Sequence, residues 1–557
     1  MAFISSGFSH RNFAILASPV LLRTYIFAAF IVHVVLAYTR NVNWDEFFYL
    51  SHVYAHLDGR LDRPLQTAFV HAFSWVQYLP GYESEQISVL RLLMTGFLAI
   101  TCYGIYRIAA LLSDANAALI AVIAFMTSGF VFGFGSNFRA DPMAAAGLMS
   151  ALTIIMVSRM SPVQMIGVAI LAALSLLVTI KAILYLPAFL GAVVWRWKDP
   201  GVSGRIIVSG CFGVILAGLL YGLHSSGVVP GVGRDTSSSM NDALRTALLE
   251  NSLFTRWQTF KVWILLSASS VVLAIHGIRR AESRRLTLTL VAFTLPFIVS
   301  LIFYRNAFDY FLPYIVPPMI VVVAVGVARV GEGLVRMLCL IIMLSLGIKQ
   351  AALAISEDAN DQRATLEEVH RLFPEPVYYI DEVGMVSSFK RSTFFMSSWG
   401  VTRYRAMERP AVREAIARYS PPLLLANRAL LRNAMERPEQ FDNPSLLVKE
   451  DREALHQTYV HYAGAVWLAG RSFTLSSQTQ EVSLPFDGRY RLDSLASIVV
   501  NGETMQPGAT VTIEGPYTIS GVEGSVVRFI WDTGIAPKDE ITLEKKLFAQ
   551  FWSSWLL

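Results

Sequence analysis

Long apolar stretches, each able to cross about 30 Å of hydrocarbon as a helix, recur along the first 355 residues of the chain and then cease. They fall at 20–39, 87–111, 115–134, 141–158, 162–180, 182–197, 206–224, 257–277, 286–304, 310–329 and 333–355, about eleven helical spans. From Ser356 onward polar and apolar residues mix. Val377 to Ile380 and Leu423 to Ala426 are short buried-strand patterns beside helical ones such as Arg363 to Leu372, so 356–460 is expected to be an α/β unit. Past Tyr462, alternating segments are punctuated by Asn501-Gly502, Pro507-Gly508 and Gly521, a pattern of short antiparallel strands. Residues 461–557 are therefore expected to form a β-rich module ending in an aromatic tail. The expected fold class is a polytopic α-helical membrane domain, 1–355, carrying a soluble α/β plus β-rich domain.

Composition agrees with a membrane solvent: 54% of residues are hydrophobic and 16% charged, where soluble domains carry about 25% charged residues. Charge then orients the spans. With the N-terminus inside, Arg159, the 196–205 segment, Arg279, Arg280, Arg284, Arg285, Arg329 and Arg336 all lie in cytoplasmic connections, as the positive-inside rule requires. An odd span count sends the tail to the outer face, together with residues 40–86 and 225–256. The net charge of +5 is spread through loops without a dense basic stripe, so nucleic acid is not an expected partner.

Cys102, Cys211 and Cys339 sit in separate apolar runs, which argues against both a disulfide framework and a Cys-based metal site. Arg11 and Arg23 flank the first span as they would a retained signal anchor. Asn443 is followed by Pro444, and no acceptable Asn-x-Ser/Thr sequon occurs, which favours a bacterial inner membrane with its outer side facing the periplasm. The cytoplasmic connections are short and hold neither a P-loop nor an Asp-x-Asp motif. ATP-driven transport in cis and metal-dependent nucleotide-sugar chemistry lose support.

Ionisable residues near membrane depth are costly, and four groups of them stand out on the outer side. In the loop 40–86, Asn43 can cap a helix on which Asp45, Tyr49, His52 and His56 share a face. Glu46 completes a capping box with Asn43. Asp45 has two readings: a carboxylate favoured by the helix dipole, or a general base. His52 and His56 have metal-ligand spacing but no third ligand in sequence. Asp141-Pro142 is a natural helix start, yet Arg139 beside it has no topological reason to be there. Lys181, ahead of Pro187, either snorkels to the interface or serves a site. Arg305 and Asp309, next to Tyr310, can pair with each other. Arg139, Lys181 and Arg305 share one membrane face on this threading, and several cations suit a phosphate ligand.

These residues resemble the C-type superfamily of membrane glycosyltransferases, near its protein mannosyltransferase and aminoarabinose transferase branches. The matching features are Trp44-Asp45-Glu46 with Tyr49, Arg91-Leu92-Leu93 opening the second span, Arg139-Ala140-Asp141, Lys181 with Pro187, and the run Tyr310-Phe311-Leu312-Pro313-Tyr314-Ile315-Val316-Pro317. The resemblance implies an inverting transferase that takes a hexose or pentose from a polyprenyl-phosphate donor at the outer face and gives it to a glycolipid such as lipid A or its core, an envelope glycan or a protein. It implies a catalytic Asp45 supported by Glu46 and Asp141, phosphate ligands at Arg91, Arg139, Lys181 and Arg305, and substrate-lining Tyr49, His52 and Tyr310. No cofactor is required on this reading; a divalent metal is compatible but not indicated. The sequence departs from the aminoarabinose branch in placing Arg60 and Arg63, not lysine, late in the first loop. The alternative from another class is a transporter or flippase of a lipid-linked saccharide.

Overall fold

The computed structural model of the protein describes residues 18–229, 253–331, 333–437, 446–535 and 542–549. Arg11, most of the outer segment 225–256 and the end of the aromatic tail lie outside the described residues. The N-terminal region is a multi-pass bundle of apolar helices, and the C-terminal region is α/β with a β-rich continuation.

All eleven apolar stretches fall on helix, but they are not eleven straight spans. Among the described residues, six helices are long and apolar enough to cross a membrane: Pro19–Thr39, Glu83–Leu112, Ala140–Val157, Val202–Ser226, Arg284–Phe303 and Leu334–Ile355. Large apolar side chains point outward from them, as with Phe212, Leu219 and Leu223, each more than 60% exposed. Such a surface needs lipid to cover it. Two further stretches are bent pairs, Trp257–Leu266 with Ala268–Arg279 at 86° and Asp309–Ile315 with Pro317–Val330 at 60°. The remaining three are broken or short: Ala115–Met126 followed by Val131–Phe134, Pro162–Val178, and the 3-10 turn Ile180–Tyr185 leading into Leu186–Arg196.

Broken helices leave backbone groups that lipid cannot satisfy. The break after Ala115–Met126 is repaired by Gln350 from Leu334–Ile355, whose amide donates to the Thr127 carbonyl at 3.0 Å and accepts from the Phe130 N–H at 3.0 Å. The Gly129 N–H donates to the Ser267 hydroxyl at 3.0 Å. The bent pairs are held by glycine: a Cβ at Gly326 would stand 1.9 Å from the Leu273 carbonyl oxygen, so Ala268–Arg279 and Pro317–Val330 meet backbone to backbone.

In the C-terminal region, strands β1 (Tyr378–Asp381), β2 (Lys390–Arg391) and β3 (Leu423–Leu425) pair in parallel, next to the helix Asn360–Leu372. Strand β4 (Tyr459–Ala463) pairs with the long β5 (Val466–Thr474). β5 also pairs with β3 and, through its second half, with β12 (Val526–Trp531); β12 pairs with β7 (Gly488–Asp493), and β7 with β10 (Thr510–Ile513). One sheet thus runs across position 460. A second sheet orders β6 (Gln480–Val482), β11 (Tyr517–Ser520), β8 (Ile498–Val500) and β9 (Glu503–Met505). Asn501 and Gly502, both with positive φ, make the β8–β9 hairpin turn, the conformation that Asn-Gly favours.

The two regions share a core. Phe47, Leu50 and Val53 of the first-loop helix Trp44–Leu57 pack with Leu366, Val369, Tyr379 and Val386. Gln362 clamps Val42 through its side chain, accepting from the N–H at 2.7 Å and donating to the carbonyl at 2.9 Å. Leu547 is buried and Phe548 meets Trp44 and Phe47 edge-on, so the start of the tail docks on the first-loop helix.

Candidate active site

The helix Trp44–Leu57 begins as its sequence dictates. The Asn43 side chain accepts from the Asp45 N–H at 3.0 Å, and Glu46 accepts from the Asn43 N–H at 3.0 Å. Glu46 does more than cap. It is fully buried and also accepts from Arg91 Nε at 2.8 Å and from the Phe138 N–H at 2.8 Å. Burial opposes its ionisation, but the Arg91 charge and these hydrogen bonds outweigh that and hold its carboxyl below the ordinary range. Arg91 also donates to the Arg40 and Asn41 carbonyls at 2.8 and 2.9 Å. Glu46 and Arg91, both expected at the site, tie the first loop to the Glu83–Leu112 helix and the 136–139 turn, and these partners engage four of the five Arg91 N–H groups.

Asp45 faces the other way, and its carboxylate pairs with Arg139. Arg139 Nε also reaches Asp141 Oδ2 at 3.2 Å, and Asp141 pairs in turn with Lys181. Four alternating charges form one line, Asp45, Arg139, Asp141 and Lys181. Each comes from an interruption in helix: the entry to Trp44–Leu57, the turn before Ala140–Val157, and the 3-10 turn Ile180–Tyr185. A fourth interruption supplies aromatic walls. The Tyr310 ring lies 3.6 Å from the Arg139 guanidinium carbon, and the Tyr49 ring lies 5.6 Å from it. Lys181 Nζ is 5.5 Å from the Tyr314 ring and 5.8 Å from that of Phe311. Such ring faces stabilise cations.

Below this line, a small cavity of about 10 Å³ reaches Asp141 and Tyr310 from between apolar residues of the bundle, including Leu98, Phe125, Phe134 and Ala145. The Tyr314 hydroxyl, in the cavity wall, is buried with no hydrogen-bond partner among the described residues. Arg305 lies elsewhere: its guanidinium stacks on Trp399 of the C-terminal region at 3.6 Å, and Trp399 donates to Asn306 at 3.1 Å. It therefore anchors the loop 304–309 to that region. No group of three His, Cys, Asp or Glu side chains suited to a metal occurs among the described residues. His52 and His56 part company, His52 lying against Phe48 and His56 against His71, which meets His224 at 2.9 Å.

The chain is similar in structure to the archaeal oligosaccharyltransferase of Archaeoglobus fulgidus. Its apo form matches with TM-score 0.48 and 10% identity, covering 90% of this chain and 76% of that one. Its complex with an inhibitory peptide and a dolichol-phosphate matches with TM-score 0.45 and 10% identity, covering 89% and 76%. No protein-family model matches the chain, and no curated protein matches it in sequence.

The C-terminal region contributes residues that sequence patterning passed over. Phe395 stacks on Phe48 of the first-loop helix, ring centroids 3.8 Å apart, and Arg391 stands close enough to His52 to act on its charge. Burial first, and then the Arg63 and Arg391 charges, push the His52 imidazole well below its usual range and keep it neutral. The run Lys390-Arg391 followed by Phe394-Phe395 was the available signal, a cation and aromatic cluster between strand patterns.

Proposed function

We propose that the protein is an inverting glycosyltransferase that takes a sugar from a polyprenyl-phosphate carrier at the outer face of a bacterial inner membrane, with about eleven membrane passes and a periplasmic C-terminal domain. The carrying observation is the charged line from Asp45 to Lys181, set at the end of the bundle that meets the C-terminal region. An acceptor hydroxyl attacks the anomeric carbon, a C–O bond forms, and the bond from that carbon to the lipid phosphate breaks. Asp45 takes the hydroxyl proton. Arg139 and Lys181 stabilise the negative charge that collects on the departing phosphate, Tyr49 and Tyr310 line the sugar, and Asp141 holds the two cations in place.

Without donor, Asp45 and Asp141 neutralise Arg139 and Lys181. An arriving phosphate competes for those cations and leaves the Asp45 carboxylate for the acceptor. A single displacement inverts the anomeric centre.

The test is the purified chain in proteoliposomes with radiolabelled polyprenyl-phosphate sugars and envelope extract. Label appearing in a glycolipid, glycan or protein with release of polyprenyl phosphate supports the reading. Movement of intact carrier-linked saccharide across the bilayer, with no bond cleaved, supports a flippase instead.

A further inference from the structure

At the bundle end remote from the first loop, the helix Leu334–Ile355 starts uncapped. Gly333 offers it no side chain, its first turn holds no acid, and no acceptor among the described residues meets the Leu334 or Val335 N–H. The positive end of the helix dipole is left open, and such an end attracts anions. A cation stands in this turn instead. Arg336 is only 6% exposed, its Nε is enclosed with no hydrogen-bond partner, and no carboxylate among the described residues pairs with it. Helical side chains lean toward the N-terminus of their own helix, so the guanidinium and the open N–H groups face the same place. A buried cation is costly without a counter-charge, and here the helix dipole adds to the cost.

The neighbouring connections add cations and little counter-charge. Segments 279–285 and 329–336 hold six arginines and two glutamates. Of these glutamates, Glu282 is already paired with Arg329, while Arg285 lies over the Trp195 ring at 4.7 Å. A Cβ at Gly277 would stand 2.7 Å from the Gly326 nitrogen, so Ala268–Arg279 and Pro317–Val330 meet near their ends and bring the two connections together. From Arg336, apolar side chains continue along the outside of its helix: Leu334, Leu338, Ile341 and Ile342 are each more than 40% exposed. An anion that carries an acyl chain matches both parts, its charge at the helix start and its hydrocarbon along the flank. The other end of the same helix leads to Glu357, which pairs with Arg40 at 3.0 Å, so Arg336 stands about 30 Å from the first loop.

We propose that the start of Leu334–Ile355, with Arg336 as the charged ligand, binds the phosphate of an anionic phospholipid in the leaflet opposite the candidate active site. The guanidinium fork donates to the phosphate oxygens, and the open N–H groups of the first turn add donors from the backbone. Arg279, Arg280 and Arg284 favour a headgroup of net negative charge over a zwitterionic one. The bound lipid supplies the counter-charge that Arg336 lacks within the protein. This inference is independent of the transferase reading.

The experiment is native mass spectrometry of the delipidated full-length protein in detergent, given equal amounts of phosphatidylglycerol and phosphatidylcholine with identical chains. Phosphatidylglycerol is expected to fill the first lipid position with a preference of about fivefold or more. Arg336→Gln abolishes that preference. Gly333→Asp abolishes it with the guanidinium still present, because an aspartate at the cap position takes the open N–H groups and neutralises Arg336. Gly333 has an extended backbone and open space around a Cβ, so this variant carries the test should Arg336→Gln not fold. Lys198→Gln, which removes an exposed charge from the connection 197–201 at the same bundle end, leaves the preference intact. Equal binding of the two lipids by wild type, a preference retained in folded Arg336→Gln or Gly333→Asp, or its loss in Lys198→Gln overturns the proposal. Displacement of phosphatidylglycerol by an equal concentration of inorganic phosphate overturns it too, by marking a free-anion site.

Discussion

The carboxylate of Asp45 and the guanidinium of Arg139, 94 residues apart in the chain, form an ion pair at the end of the helix bundle. Arg139 serves two carboxylates from different nitrogens, Nη1 toward Asp45 and Nε toward Asp141. A lysine supplies the charge but not the fork. Arg139→Lys is expected to lower transfer by about a hundredfold with an unchanged melting temperature, as read by initial rates and by thermal unfolding in detergent.

Glu46 and Arg91 behave as a strut. Both are almost fully buried, and each leaves an uncompensated charge if the other is removed. Arg91→Ala and Glu46→Ala are expected to destabilise the fold by about 3–5 kcal/mol, measured by thermal or denaturant unfolding, with no selective rise in donor KM among the molecules that remain folded. A selective KM effect in a stable Arg91→Ala protein returns that residue to the phosphate site.

Lys181 and Asp141 are coupled, since each is the other's buried partner. Lys181→Met is expected to raise donor KM and lower kcat together. Asp141→Asn with Lys181→Met is expected to be less impaired than the product of the two single effects, as interacting residues are not additive. Steady-state kinetics over the four proteins measures the coupling.

Glu382, in the C-terminal region, provides a pH dependence. Burial raises its carboxyl to about 7, against the opposing Arg428 charge, although its Oε1 accepts from the Leu431 N–H at 2.8 Å. Unfolded, the group ionises near 4.5. Its protonated form therefore supports the fold below about pH 4.5, and that contribution fades as pH rises through about 7. Glu382→Gln is expected to stabilise the protein at pH 8 by up to about 3 kcal/mol and to change little at pH 4.5, as read by melting temperature at the two pH values.

Hydropathy made the helical part of the fold legible, because apolar stretches that contact lipid must be long and uncharged. It could not reveal the interruptions. The break at 127–130 is bridged by Gln350, 220 residues from Phe130, and the helix beyond the bend after Leu266 meets a distant helix at Gly277 and Gly326. In the candidate site, helix-start chemistry pointed to Asn43, Asp45 and Glu46, but the same chemistry fits a cap and a base. The packing gives the two carboxylates different partners, surrounding Glu46 with donors and turning Asp45 toward Arg139. Arg305 was grouped with the other cations because topology gives a membrane face and not a position upon it; Trp399, in a distant segment, decides where it goes.

Asp45 is the centre of this account, and its substitution by asparagine removes the base while keeping the shape and the cap bond made by its backbone N–H. The decisive measurement is single-turnover transfer from a radiolabelled polyprenyl-phosphate sugar by Asp45→Asn in proteoliposomes, beside wild type, with melting temperature and donor binding measured on the same preparations. The account predicts a rate at least about a thousandfold lower, with folding and donor binding retained. Transfer by a folded Asp45→Asn protein at a rate near that of wild type would contradict it.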